Sequence, residues 1–245
     1  MVGVLGVSAS AILVRFSQAP SGVTAAYRLG WTVLLLLPVV LLRCRAELRR
    51  VTARDLVLCG ASGVLLALHF LTWFESLKRT SVASSTVLVS TEVIFTALGF
   101  ALFLHGKIPR LGVWAILLAF GGSALLALSG GGGAGELSGN LLALAAASAA
   151  AVYTLIGRIQ RGHLSTTVYT FLTYLACFLT LLLGTAAAGT PLTGYGGREW
   201  LIGLALAVLC TLLGHSLFSW CLKYLSPSYV SAARLCEPVF SSLAA

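Results

Sequence analysis

The chain of 245 residues is 58% hydrophobic and only 9% charged, with a mean hydropathy of +0.98. Seven acidic residues cannot clothe the surface of a soluble domain of this length, in which about a quarter of residues are charged, so the composition excludes a water-soluble globular protein and points to the lipid bilayer. The net charge of +9 does not signal a nucleic-acid partner, because the basic residues sit between apolar blocks and no nucleic-acid-binding signature is present.

Nine apolar blocks follow in chain order: Val2–Phe16, Val23–Leu42, Leu56–Leu77, Val82–Leu104, Leu111–Ser129, Leu137–Ile156, Thr166–Ala188, Trp200–Leu222 and Pro227–Ala245. Most approach the ~20 residues with which a helix crosses the hydrocarbon. They are apolar all round, where strands of a transmembrane barrel would alternate in shorter segments, so they are expected to be spanning helices. The first block is short and carries Arg15 near its end. It lacks the basic start and cleavage site of a signal peptide and reads as a first span trimmed at its start.

Lys and Arg in the loops set the orientation. With the N-terminus in the cytoplasm, ten fall inside (Arg43, Arg45, Arg49, Arg50, Arg54, Lys107, Arg110, Arg158, Arg161, Lys223) and three outside (Lys78, Arg79, Arg198). That is a positive-inside pattern. The six cysteines, at 44, 59, 177, 210, 221 and 236, fall within or at the ends of the apolar blocks without paired spacing, and read as small buried hydrophobes. No metal-ligand pair, phosphate loop or dinucleotide fingerprint occurs, so no cofactor or metal is expected and ATP hydrolysis on this chain is not.

Sliding the sequence on itself by 145 residues aligns "SLKRTSVASSTVLVSTEVIFTAL" (Ser76–Leu98) with "CLKYLSPSYVSAARLCEPVFSSL" (Cys221–Leu243). Leu77, Lys78, Ser81, Glu92, Phe95 and Leu98 recur as Leu222, Lys223, Ser226, Glu237, Phe240 and Leu243. Such a register predicts an internal duplication. Glu92 lies in the fourth block and Glu237 in the ninth, so the unit is five spans, and an odd unit sets its second copy upside down in the membrane. The glycine run Gly130–Gly133 falls between the fifth and sixth blocks, where a linker belongs. The expected fold is an all-α integral membrane protein, an inverted repeat of five transmembrane helices each. Residues 1–129 form the first repeat, 130–136 the linker and 137–245 the second repeat.

The lone arginine in "AAYRL" (Ala25–Leu29), the stretch "ESLKRTSVASSTVLVSTEVIFTALGFALFLHGKI" (Glu75–Ile108) and its echo "CLKYLSPSYVSAARLCEPVF" resemble the drug/metabolite transporter superfamily, EamA-type. The resemblance covers nearly the whole chain. It implies ten spans in two inverted repeats, both termini cytoplasmic, and export of amino acids or other small metabolites. The sequence departs from that pattern in having Val93 where the second copy has Pro238, and in lacking a tenth span. The first copy continues for 37 residues from Glu92 to Ser129, whereas only eight follow Glu237. The chain is therefore expected to be a fragment lacking the last transmembrane helix.

Polar residues inside the apolar blocks are the candidate pathway residues, because a charge at the bilayer centre costs about 2.5 kcal/mol or more and normally faces a protein interior or aqueous cavity. Ser81, Ser85, Glu92 and Thr96 fall near one helical stripe, as do Arg234, Glu237 and Ser241. Glu92 and Glu237 are then either pathway groups or anchors bonding neighbouring helices. Arg234, one turn before Glu237, is placed to neutralise it, and Pro238 is placed to bend its helix. Divided roles follow: Glu92→Gln is expected to lower transport at near-normal folded yield, and Glu237→Gln to lower yield first. Arg28 can meet a substrate carboxylate or pair with Glu92 or Glu75. His69 and His215 are equivalent in the repeat apart from a one-residue slip, and each is either a packing residue or a proton carrier. Glu75, one turn before Lys78, reads as interfacial.

Trp73, one turn from His69, is either a cavity wall or an interface anchor, whereas Tyr27, Trp220, Tyr224 and Tyr229 read as anchors at span ends. Gly121, Gly122 and the alanine-rich stretch Leu141–Tyr153 allow close helix approach. The expected function is a secondary transporter, an exporter, of a small-molecule substrate across a cell inner membrane, with protons as the coupling ion and uniport as the alternative. A non-transporting or channel-like scaffold and an intramembrane enzyme using His69 or His215 with a serine are the competing classes. No nucleophile motif supports the enzyme.

Overall fold

The structure is a computed structural model that describes residues 2–108, 110–114, 117–118, 121–122 and 134–234. The Gly130–Gly133 run, most of the fifth apolar block, and Cys236, Glu237, Pro238, Phe240 and Ser241 in the ninth lie outside the described residues. Among the described residues the secondary structure is wholly helical, with no strand. The elements are α1 (Val2–Phe16), α2 (Ser21–Arg43), α3 (Arg45–Leu48), α4 (Ala53–Arg79), α5 (Val82–Val89), α6 (Glu92–Phe103), α7 (Ala134–Gln160), α8 (Thr166–Ala187), α9 (Gly197–Ala205), a π-helix (Leu206–His215), α10 (Ser216–Cys221) and α11 (Pro227–Ala233).

Among the described residues, six spans are long and apolar enough to cross a membrane: Ser21–Arg43, Ala53–Arg79, Val82–Phe103, Glu136–Gln160, Thr166–Ala187 and Gly197–Cys221. Leu5–Phe16 is a shorter apolar helix, matching the short first block. Large apolar side chains on the outer faces, such as Leu42, Leu183 and Leu201, remain exposed, as a lipid-facing surface requires.

Several helices begin on side-chain caps encoded in the sequence. Thr52 and Asp55 form a reciprocal capping box at α4, and Ser165 accepts the Val168 N–H at α8. Ser81 caps α5 by accepting the Ser84 N–H, and Ser226 caps α11 by accepting the Tyr229 N–H, with Pro227 in the first turn. Ser81 and Ser226 are matched by the 145-residue register, so one sequence position performs one structural task twice.

Two spans are not the continuous α-helices that periodicity predicts. The fourth breaks between α5 and α6, where Ser90 Oγ donates to the Thr86 carbonyl at 2.7 Å and Thr91 Oγ1 to the Leu88 carbonyl at 2.6 Å. These hydroxyls compete with the backbone N–H groups for the same carbonyls and bend the helix. The eighth span passes from α9 through ten residues of π-helix into α10. A π-helix bonds i to i+5, so equal counts along the chain no longer mean equal angles around the axis. Interrupted spans of this kind line binding sites in many transporters.

Helix α4 lies centrally and packs on α7 and α8; α2 packs on α8 and the π-helix, α1 on the π-helix, α6 on α7, and α11 on α6. The core between them is built from Leu29, Leu66, Phe70, Phe74, Tyr174 and Leu206. Close approach decides one glycine: a Cβ on Gly63 of α4 would sit 2.5 Å from Ala176 Cβ and 2.6 Å from the Thr173 carbonyl of α8. Helices in lipid are held by such packing and by hydrogen bonds, since lipid tails offer no hydrophobic drive to associate.

A buried ion pair and histidine pair in a central cavity

Glu92 is the first residue of α6, directly after the break in the fourth span. That position gives its carboxylate the favourable end of the helix dipole and turns it inward, leaving the residue 4% exposed. Oε2 accepts from Arg234 Nη1 at 2.5 Å. Oε1 accepts from Thr154 on α7 at 3.0 Å and from Ser231 on α11 at 3.3 Å. The Arg234 guanidinium also lies over the Phe218 ring at 5.2 Å. Arg234 thus joins Glu92 across a helix interface, because the end of α11 is packed against α6. The contact with Glu237 expected from the sequence lies outside the described residues.

The pair borders a cavity of about 20 Å³, room for a water molecule, whose wall includes Ser10 of α1, His69 and Trp73 of α4, Ser90, and His215 of the π-helix. The His69 and His215 rings face each other with centroids 6.4 Å apart, despite the one-residue slip in the repeat register. His69 Nδ1 lies 3.0 Å from the Ala146 carbonyl. A carbonyl only accepts, so Nδ1 is the donor in this contact. Trp73 stacks on His69 with centroids 5.9 Å apart and is 3% exposed, which places it in the cavity wall rather than at a membrane interface. Its indole N–H is buried and has no acceptor among the described residues.

Arg28 stands behind this wall, fully buried. Nε donates to Thr211 Oγ1 at 2.7 Å, Nη1 to Ser10 Oγ at 3.1 Å, and the guanidinium lies 4.2 Å from the Phe70 ring centroid. The two carboxylates that the sequence offered it have other partners: Glu92 has Arg234, and Glu75, at the end of α4, bonds Arg79 and Ser21. Glu75 is partly exposed and its neighbour Lys78 donates to the Ala19 carbonyl. Thus His69, Trp73, Glu92, His215 and Arg234 come together in one cavity, Arg28 abuts it through Ser10, and Glu237 lies outside the described residues.

Sequence reasoning missed Ser10, Thr154, Thr211 and Ser231, which bind the charged groups. Each is a lone hydroxyl in an apolar span. Such hydroxyls usually bond their own helix carbonyls, as Thr72, Thr170 and Thr180 do here, so their presence alone carries little signal. Among the other expected anchors, Tyr27 stacks on Trp200 at 4.2 Å and donates to the Leu192 carbonyl, while Trp220 and Tyr224 pack together on the surface at 5.0 Å. Cys59, Cys177 and Cys210 are buried, and Cys44 and Cys221 are partly exposed.

The model of the EamA-like transporter family matches residues 1–128 and 137–245. Among solved structures, a crystal structure of a protein 20% identical in sequence aligns over 99% of this chain and 84% of that chain, with a TM-score of 0.73. At that identity the likeness shows the fold alone. No curated protein matches the chain.

Proposed function

Because this chain belongs to the EamA-like transporter family, we propose that it is a secondary transporter exporting small polar or amphiphilic metabolites, such as amino acids, across a cell inner membrane. Two inverted halves rock about a midplane site, with the N-terminus in the cytoplasm. The observation that carries this reading is the Glu92–Arg234 ion pair at 2.5 Å, bordering a cavity among otherwise apolar spanning helices. Charges in such a place are expensive and mark substrate or ion paths. The two interrupted spans also supply the wall of that cavity, Glu92 from one and His215 from the other.

Protons are the coupling ion in this reading, and Glu92 is the site. A proton there breaks the bond to Arg234, so protonation and ion pairing are exclusive states of one carboxylate. Thr154 from α7, Ser231 and Arg234 from α11 and its end, His69 from α4 and His215 from the π-helix surround it, with Arg28 of α2 beyond Ser10. The two histidines are the competing proton sites.

The test is counterflow in proteoliposomes holding the full-length protein. Saturable exchange of a labelled amino acid or small metabolite against its unlabelled form is expected. Its absence across amino acids and common metabolites overturns the transporter reading.

A further inference from the structure

Asp55 and Glu199 are buried carboxylates outside the central cavity, 6% and 4% exposed. Each lies in the first turn of a span that carries one of the paired histidines: Asp55 begins α4, 14 residues before His69, and Glu199 begins α9, 16 residues before His215 at the end of the π-helix. At the helical rise of about 1.5 Å per residue, each stands roughly 20 Å from the ring pair. On the orientation inferred from loop charges, Asp55 is at the cytoplasmic end and Glu199 at the outer end.

The two carboxylates bond the same feature of opposite halves. Asp55 Oδ1 accepts from Gln160 Nε2 at 3.2 Å and lies 2.7 Å from His163 Nε2, at the end of α7 and just beyond it. Glu199 Oε2 accepts from Ser17 Oγ at 2.6 Å and Oε1 from the Gln18 N–H at 3.2 Å, just beyond α1. Asp55 belongs to the segment 1–128 that matches the family and its partners Gln160 and His163 to the segment 137–245; for Glu199 the membership is reversed. Gln18 and His163 superpose in the 145-residue register, and Asp55 and Glu199 miss it by one. One contact is thus made twice, once at each face: the first-turn carboxylate of one half's third span against the end of the other half's first span. The cavity between them measures about 20 Å³, room for a water molecule, so a metabolite reaches it only if one end parts.

We propose that Asp55 and Glu199 are the two gate latches of the transport path, each closing one face by tying a cavity helix to the opposite half, and each released in turn. This rests on the transport reading above and names the residues that set which side the site faces. Latch and histidine sit on one span, so parting at one end moves a ring at the cavity while the other latch holds. The inner latch also carries a reason to open: Gln160 Oε1 is buried and meets no donor among the described residues, a cost that water entering that end relieves.

Val89 lines the cavity and serves as the reporter. In the full-length protein with its native cysteines replaced by serine, Val89→Cys is labelled with a membrane-impermeant thiosulfonate in inverted and in right-side-out vesicles. Gln160→Met keeps the length of the side chain and removes its bond to Asp55, and Ser17→Ala removes the hydroxyl bond to Glu199. Gln160→Met is expected to speed labelling roughly tenfold in inverted vesicles alone, and Ser17→Ala in right-side-out vesicles alone, the factor by which losing one hydrogen bond to a charged group shifts a two-state equilibrium. His163→Ala, at a side chain 53% exposed, is a second inner variant expected to act in the same direction more weakly. Unchanged labelling whatever the Tm, faster labelling from both sides, or inner and outer variants that open the same side each overturn the proposal. Counterflow that persists with unchanged labelling removes only this inference, whereas side-specific labelling in a protein that shows no counterflow of any metabolite removes the transport reading instead.

Discussion

Glu92 and Arg234 meet at 2.5 Å although 142 residues separate them, and the two segments that match the family contribute one each. Their side chains are only 6% and 12% exposed, so the pair sits where water screens it little. It ties α11 to α6 at the cavity edge, with Ser231 bridging Glu92 Oε1 and Thr96 Oγ1. A contact of this kind can serve stability and transport together, and the two are separable by experiment.

Removing the guanidinium leaves the Glu92 carboxylate buried without it, and removing the carboxylate takes one charge partner from buried Arg234; a broken buried pair costs about 3 kcal/mol or more. Glu92→Gln and Arg234→Gln are each expected to lower the Tm of the purified protein, on the order of 10 °C for a chain of this size. The double variant should recover most of that loss while transport stays low. The ion pair thus gives an expectation different from the near-normal yield inferred from the sequence, and the Tm of Glu92→Gln decides between them. Additive losses in the double variant would count against a direct pair.

If Glu92 is the coupling site, flux depends on pH through that residue. Glu92→Gln should flatten that dependence in whatever flux remains, and His69→Gln and His215→Gln should keep it. Measuring flux against pH in all three variants decides the matter. A profile flattened by a histidine variant and retained by Glu92→Gln moves the proton role to the ring pair 6.4 Å apart.

The apolar blocks were legible because the bilayer demands a fixed length of apolar helix, and six of them stand as candidate spans. The buried residues Arg28, His69, Glu92 and His215 were legible because any titratable group in such a block is conspicuous. What the sequence hid was pairing. Glu92 reaches Arg234 through the packing of α11 on α6, which spacing along one helix does not reveal. The helix break at Ser90 and Thr91 and the π-helix were also hidden, since hydroxyl back-bonding and an i to i+5 ladder leave hydropathy unchanged.

Two glycines in adjacent helices should respond oppositely to alanine. In Gly63→Ala the new methyl meets Ala176 and the Thr173 carbonyl at 2.5 and 2.6 Å, so α4 and α8 must separate, costing about 1–3 kcal/mol. In Gly184→Ala nothing lies within 4 Å and the site is within α8, so helix propensity should stabilise by roughly 0.5–1 kcal/mol. Thermal unfolding of the two variants side by side checks the α4–α8 contact, and equal behaviour would contradict it.

At the start of α4, Asp55 closes the capping box with Thr52 and also accepts from His163 at 2.7 Å and from Gln160 at 3.2 Å. Asp55→Ala is expected to destabilise by about 1–2 kcal/mol, mostly through the cap and the buried Gln160 amide. The His163 side chain is 53% exposed, so its coupling to Asp55 in a double-mutant cycle should stay below about 1 kcal/mol. A larger coupling would make His163 an organising residue of that end.

The orientation inferred from loop charges has its own test. Arg50, between α3 and α4, and Thr193, between α8 and α9, are both exposed and lie at sites assigned to opposite sides of the membrane. In a variant with the native cysteines replaced by serine, Arg50→Cys should react with a membrane-impermeant maleimide only in inverted vesicles, and Thr193→Cys only in right-side-out ones. Replacing Arg50 costs one of ten inside charges against three outside, which leaves the bias intact. Arg161 is a weaker contributor than the count implies, because it is 2% exposed and donates to the Ser219 and Leu164 carbonyls, where it neutralises helix ends instead of facing lipid headgroups. Arg161→Gln should therefore lower stability without changing either labelling pattern, and reversed labelling of the Arg50 and Thr193 sites would place the N-terminus on the outer side.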